Sequence, residues 1–213
     1  MERKFKPKKK EYRLFIAFEI PEEVKRQLNS NTKIFLHEAR NIRFVSMEQM
    51  HLTIKFLGRN VSDYSINKIV DVLKEIAGKT YPITLSVKEL RFGFPHQTIP
   101  QILFYNIEST PELNALYKEI GIKIKRLDLG DVIPTAYMKK DIYHVTLGRL
   151  KHQQNRSFGR QIRSIVKENP IDPIEFTVSE FSIIKSDIEG GKGPKYAYIH
   201  KFQLKQYTNE VPV

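Results

Sequence analysis

The chain has 213 residues, 40% of them apolar and 28% charged, with a formal net charge of +12. That length suits one large domain or two small lobes around a buried core, and no apolar run approaches the roughly 18 residues of a membrane-spanning helix. The absence of cysteine excludes disulfides and thiolate metal sites, and the excess of lysine and arginine favours a polyanionic partner such as nucleic acid.

Residues 1–11 read as a basic flexible tail, with Arg3, Lys4, Lys6, Lys8, Lys9 and Lys10 able to add salt-dependent attraction to phosphates but no specificity. The apolar run that follows is short and ends at Glu19 and Pro21, with no small-residue cleavage site after it. No signal peptide is therefore expected, and the protein is placed in the cytoplasm, away from membranes. A strand is predicted over 12–20 and a helix over 21–39, which opens on Pro21 and repeats Val24, Leu28 and Phe35. "MHLTIKFLG" (50–58) is a strand closed by Gly58. Residues 62–78 form an amphipathic helix, with Ile66, Ile69, Val70, Leu73 and Ile76 on one face and Ser62 or Asp63 as its cap. Residues 81–92 are a strand.

The same order then recurs: strand 101–108, helix 110–128 from Thr110-Pro111-Glu112, strand 142–150, helix 154–169, one long strand 174–186, a glycine-rich turn and a last strand 196–204. Leu14-Phe15 answers Leu103-Phe104 at an offset of 89, Pro21 answers Pro111 at 90, and His51 answers His144 at 93. Near-constant offsets indicate an internal duplication. The expected fold is α+β: two pseudo-symmetric lobes, each an antiparallel sheet with helices on its outer face, around a central cleft. Residues 12–206 would form this single bilobal domain, and 207–213 a C-terminal tail.

His51-Leu52-Thr53 and His144-Val145-Thr146 sit in matching strands. Side chains two apart on a strand share a face and lie about 6 to 7 Å apart, so each histidine joins its threonine while Leu52 and Val145 turn to the core. His96-Gln97-Thr98 also fits the pattern, but it lies between Pro95 and Pro100 and has no counterpart, so it reads as a decoy. Two opposed histidines suit paired acid–base catalysis near neutral pH, and two threonine hydroxyls suit two non-bridging phosphate oxygens. No Gly-x-Ser-x-Gly elbow is present, and two histidines without nearby carboxylates make a thin metal-ligand set, so neither a metal nor another cofactor is expected.

"LFIAFEIPEEV", "HLTIKFLG", "FGFP" before "PQILFYNI", "HVTLGRL" and "VSEFSIIKSDIEGGKGPKYAYIHKFQL" together resemble the 2H phosphoesterases. The similarity is to the branch called RNA 2′,3′-cyclic phosphodiesterase or 2′-5′ RNA ligase, and it covers about residues 12–206. The resemblance implies a bilobal fold and catalysis by His51 and His144. It further implies phosphate binding by Thr53 and Thr146, with Arg149, three residues after the second threonine, beside them. Strict alternation does not put Arg149 on the Thr146 face. Phe56, three residues after Thr53, is a candidate for the base pocket, and Tyr12, Arg13, Lys55 and Tyr143 for its rim. The implied reaction is metal-independent opening of RNA 2′,3′-cyclic phosphate ends to 2′-phosphate, with 2′-5′ ligation as a reverse-type side activity. The expected partners are RNA ends or small cyclic nucleotides, and a monomer is expected. The rival readings are a binding module of the same fold without turnover, and a basic RNA-binding protein whose histidines are structural.

Overall fold

A computed structural model describes residues 12–95, 97, 100–133, 142–151, 155–188 and 194–206. The expected tails 1–11 and 207–213, most of the glycine-rich turn, and His96 of the decoy motif lie outside the described residues. Four helices and nine strands are present among those described, and every strand pairing is antiparallel.

In chain order these are β1 (Tyr12–Glu19), α1 (Glu22–Ser30), β2 (Ile42–Phe44), β3 (His51–Arg59), α2 (Asp63–Ala77), β4 (Ile83–Phe92), β5 (Ile102–Ile107), α3 (Pro111–Arg126), β6 (Tyr143–Leu150), α4 (Arg156–Glu168), β7 (Ile174–Val178), β8 (Glu180–Ile188) and β9 (Pro194–Gln203). The strands run β7-β4-β5-β6-β3-β1-β8-β9, with β2 added against β6. The two expected half-sheets are thus joined through a single bridge, Leu52 opposite Val145. The His-x-Thr strands β3 and β6 are neighbours at the middle of one sheet.

The repeats are interlocked. The last strand of the first repeat, β4, pairs with β5 of the second, and β8 of the second repeat pairs with β1 of the first. The run read as one strand over 174–186 is two. It breaks at Ser179, where the chain leaves β4 for β1 and so passes from one half to the other. The apolar alternation slips by one residue there: Ile174, Phe176 and Val178 face the core before the break and Phe181 and Ile183 after it, which was the available sign of the crossing.

Helix α1 is also shorter than its pattern. Beyond Ser30 the chain tightens into 3-10 turns at Asn31–Phe35 and Ala39–Asn41. In "NSNT" (29–32) the hydroxyls of Ser30 and Thr32 donate to the carbonyls of Gln27 and Asn29, at 2.7 and 2.9 Å. Such local bonds compete with helix propagation.

The helices cover one face of the sheet. Leu28 of α1, Leu73 of α2, Ile120 of α3 and Ile162 of α4 are fully buried in one cluster with Leu14, Ile16, Leu52, Val145 and Leu147 of the strands. The opposite face carries a small cluster of Phe15, Ala17 and Ile184, with Phe56 and Tyr196 packed on it. Fully burying a side chain such as Leu52 or Val145 is worth about 1.5–3 kcal/mol, which fixes which face of β3 and β6 points away from the helices.

Candidate functional site

His51 and Thr53 are half-buried while Leu52 is sealed, and His144 and Thr146 flank a sealed Val145 in the same way. Extending the register of the Leu52–Val145 bridge by one residue each way sets His51 opposite Thr146 and Thr53 opposite His144. All four side chains line one cavity of about 850 Å³ on the helix-free face.

Each imidazole is oriented from behind. His51 Nδ1 lies 2.7 Å from the Gln49 carbonyl, and His144 Nδ1 lies 3.5 Å from the Ile142 carbonyl, two residues back in both cases. The carbonyl can only accept, so this partner favours the proton on Nδ1 and the lone pair on Nε2. Gln49 also acts through its side chain, whose Nε2 donates to the Pro194 carbonyl and so ties the start of β9 to the cavity. Aromatic rings hold each imidazole in the plane of its bond. Phe15 of β1 lies 4.8 Å from the His51 ring and Phe104 of β5 lies 5.4 Å from the His144 ring, at equivalent places in the two repeats. Tyr196 meets His51 edge-on at 5.2 Å, and Phe94 does the same to His144 at 5.1 Å.

Irregular pairing brings in residues that strict alternation excludes. Between Thr146 and Gly148 the register against β5 shifts by one, so Leu147 is an extra residue. Such a bulge returns Arg149, three residues after Thr146, to the cavity face. An equivalent shift between Thr53 and Lys55 returns Phe56 to the cavity. It also turns Lys55 away: Lys55 pairs with the core residue Ile16 and is only 4% exposed. Lys55 is therefore not on the rim, and burial holds its pKa below the ordinary lysine value.

Tyr143 is likewise not on the rim. It is buried, its hydroxyl donates to Asn114 Oδ1 of α3 at 2.9 Å, and its ring meets Tyr117 of the same helix. The backbone of Tyr12 lies in β1, but its side chain falls outside the described residues. Arg13 does line the cavity, with its guanidinium 4.7 Å over the Phe56 ring. That stack occupies one face of Phe56, the candidate base platform.

The sequence reading missed Phe15, Phe44, Gln49 and Tyr196, which line the cavity, and Arg43 on β2. The Leu14-Phe15 and Leu103-Phe104 landmarks were the available signal for the ring contacts. Arg43 reaches the site because Gly148 lets β2 close on β6: a Cβ there would stand 3.0 Å from Ile42 Cγ2 and 3.3 Å from the Arg43 carbonyl. Among the described residues no carboxylate lines the cavity, while Arg13, Arg43, Arg149 and both histidines do. Burial lowers the Arg149 pKa, and Arg43 and Arg13 push it the same way, against the opposing pull of Tyr196. Among the described residues no group of three His, Cys, Asp or Glu is arranged to hold a metal. The site is thus a cationic pocket with two oriented imidazoles and two hydroxyls, suited to a phosphate undergoing proton-coupled substitution.

A family model described as LigT-like phosphoesterase matches residues 18–102. An RNA 2′,3′-cyclic phosphodiesterase of Thermotoga maritima is 26% identical over 91% of this chain and 96% of its own. One of Methanocaldococcus jannaschii is 26% identical over 89% and 99%. Among solved structures, a Thermus thermophilus protein superimposes with a TM-score of 0.70 at 25% identity, over 91% of this chain and 98% of its own. LigT of E. coli does so at 0.66 and 20%, over 92% and 99%.

Proposed function

We propose that the chain is a LigT-like phosphoesterase of the 2H type, which opens 2′,3′-cyclic phosphates at RNA ends and leaves a 2′-phosphate. Relatives named for this activity over about nine-tenths of the chain support the substrate class. The observation that carries the mechanism is local: two His-x-Thr strands are paired at one bridge and line one pocket.

In this reaction water attacks phosphorus and the bond from phosphorus to the 3′ oxygen breaks. The Nε2 of one histidine takes a proton from the attacking water. The Nε2 of the other, protonated at the start, gives one to the departing 3′ oxygen. The proton count closes, with the two imidazoles exchanging roles in the reverse direction. The same attack with a 5′ ribose hydroxyl in place of water, again breaking the bond from phosphorus to the 3′ oxygen, is the route to 2′-5′ ligation as a side activity. Thr53 and Thr146 donate to the two non-bridging oxygens, and Arg149 offsets the charge that builds in the transition state. Hydrogen bonds from Nδ1 to the Gln49 and Ile142 carbonyls keep Nε2 aimed at phosphorus.

The direct test is incubation with adenosine 2′,3′-cyclic phosphate in EDTA, with the product isomers resolved by chromatography. Adenosine 2′-phosphate is expected at a rate that chelation leaves unchanged. Complete loss in EDTA with recovery on adding a divalent metal would overturn the mechanism, and binding without product would reduce the protein to a nucleotide-binding module.

A further inference from the structure

Three guanidinium groups from three strands share the cavity: Arg13 on β1, Arg43 on β2 and Arg149 on β6. Arg43 stands directly opposite Arg149 in the β2–β6 register. Like charges in directly opposed positions of an antiparallel pair destabilise it. Among the described residues none of the three makes an ion pair with a carboxylate, although carboxylates pair with lysines elsewhere, as Glu19 does with Lys25 and Lys201. Among the described residues no carboxylate lines the cavity either, so the cluster presents an unbalanced positive charge suited to an anionic ligand.

One reacting phosphate does not balance it. A cyclic phosphate diester carries a single negative charge, which Arg149 and one imidazolium already meet. Arg13 and Arg43 are then in excess. Arg13 is held by its stack on Phe56, 4.7 Å from the ring centroid, which fixes the guanidinium plane and leaves its N–H edges for an oxygen ligand. Arg43 lies one strand spacing, about 4.8 Å, to the side of Arg149, on the β2 wall and away from the β3–β6 bridge.

We propose that Arg13 and Arg43 form a second phosphate subsite, which takes the phosphate on the 5′ oxygen of the terminal ribose, so that the site selects an RNA end over a free cyclic nucleotide. The proposal rests on the cyclic phosphodiesterase reading. The recognised chemistry is a phosphate on that oxygen, whether a monoester or the diester to a preceding nucleotide. The two arginines act in substrate binding, and the reacting phosphate stays with Thr53, Thr146 and Arg149.

The test compares kcat/KM for adenosine 2′,3′-cyclic phosphate, its 5′-phosphorylated form, and the dinucleotide ending in a 2′,3′-cyclic phosphate. The native protein should favour the last two by about 10- to 100-fold, mainly through KM, since a charge-assisted hydrogen bond is worth that much. Arg43→Ala and Arg13→Ala should each cost at least about 10-fold more on the dinucleotide than on the mononucleotide, and Arg43→Lys should restore part of the loss. Preference for both phosphorylated substrates assigns recognition to phosphate alone, and preference for the dinucleotide alone assigns it to the diester. Equal losses on all three substrates would place the arginines at the reacting phosphate and overturn the subsite. A dinucleotide preference untouched by either variant would overturn it too.

Equilibrium binding of adenosine 2′-phosphate and adenosine 2′,5′-bisphosphate reads the same subsite without turnover. There the bisphosphate should bind more tightly, and Arg43→Ala should remove that advantage. Equal affinity of the two ligands would sink the subsite, whereas a bisphosphate advantage with no turnover of any substrate would sink only the reaction reading.

Discussion

His51 and His144 are alike down to the atom that holds them: each turns Nδ1 to the carbonyl two residues back and lies against a phenylalanine at the equivalent place of the neighbouring strand. The identity of the two pairs was legible in the sequence, because alternation alone puts each histidine beside its threonine and each middle residue in the core. The place of Arg149 was not. It depends on an extra residue, Leu147, and a bulge is set by cross-strand pairing rather than by composition. Lys55 and Tyr143 were misplaced for related reasons: a bulge turns Lys55 inward, and Tyr143 satisfies its hydroxyl on α3. The pH–rate profile should be a bell, because the base must be neutral and the acid protonated. Lowering pH removes the base and raising it removes the acid, with both limbs within a few units of the free imidazole value near 6.5. Tyr196, against His51, contributes to neither limb. Burial raises its pKa above the ordinary phenol value even though Arg149 and Arg13 pull it down, so it stays neutral throughout. The bound phosphate favours imidazolium, so the bell in kcat should lie to the alkaline side of that in kcat/KM. A rate that climbs without a maximum from about pH 5 to pH 10 would point to hydroxide attack with no general acid.

At the scale of elements, the sequence located α2, α3, α4 and most strands to within two residues, because their apolar periods and caps are local signals. Ser62, Thr110 and Asn155 each accept from the backbone N–H three residues on, as N-caps do. What it did not show was long-range help at the start of α2. Residue 65 is a serine, where a glutamate would complete a capping box with Ser62. Asp131, from the segment after α3, supplies the missing carboxylate. It accepts from the Ser62 backbone N–H and the Ser65 hydroxyl, both at 2.6 Å. Burial alone would raise its pKa, but the hydrogen bonds from Ser65 and Ser62 outweigh that and hold it below the ordinary value. A lowered carboxylate pKa stabilises the fold at neutral pH, and the contribution fades as pH falls below about 4 through the lowered native value. Asp131→Ala should therefore cost about 1–2 kcal/mol at pH 7 by denaturant titration, and the gap to the native protein should narrow towards pH 3. An equal gap at both pH values would show that the charge is not what holds α2.

For the molecule as a whole, the element order made the α+β class legible and the near-constant offsets suggested a duplication, but neither told how the two halves are joined. Because β4 and β8 each cross to the other repeat, neither copy has a complete sheet of its own, and the two His-x-Thr strands meet at the centre of a shared one. The one-residue slip of the apolar alternation at Ser179 marks where the chain crosses, but a hydrophobic pattern does not say which strand it crosses to. On the proposed mechanism one phosphate takes a histidine from each half, so the two would act as one unit. Residues acting as a unit do not contribute independently to rate. The decisive measurement is kcat/KM on adenosine 2′,3′-cyclic phosphate for the native protein, His51→Ala, His144→Ala and the double variant. Each single change should cost about 10²–10⁴-fold, and the double variant should be about as slow as the slower single. Losses that multiply, or a His144→Ala protein as fast as the native one, would contradict a site shared between the two copies.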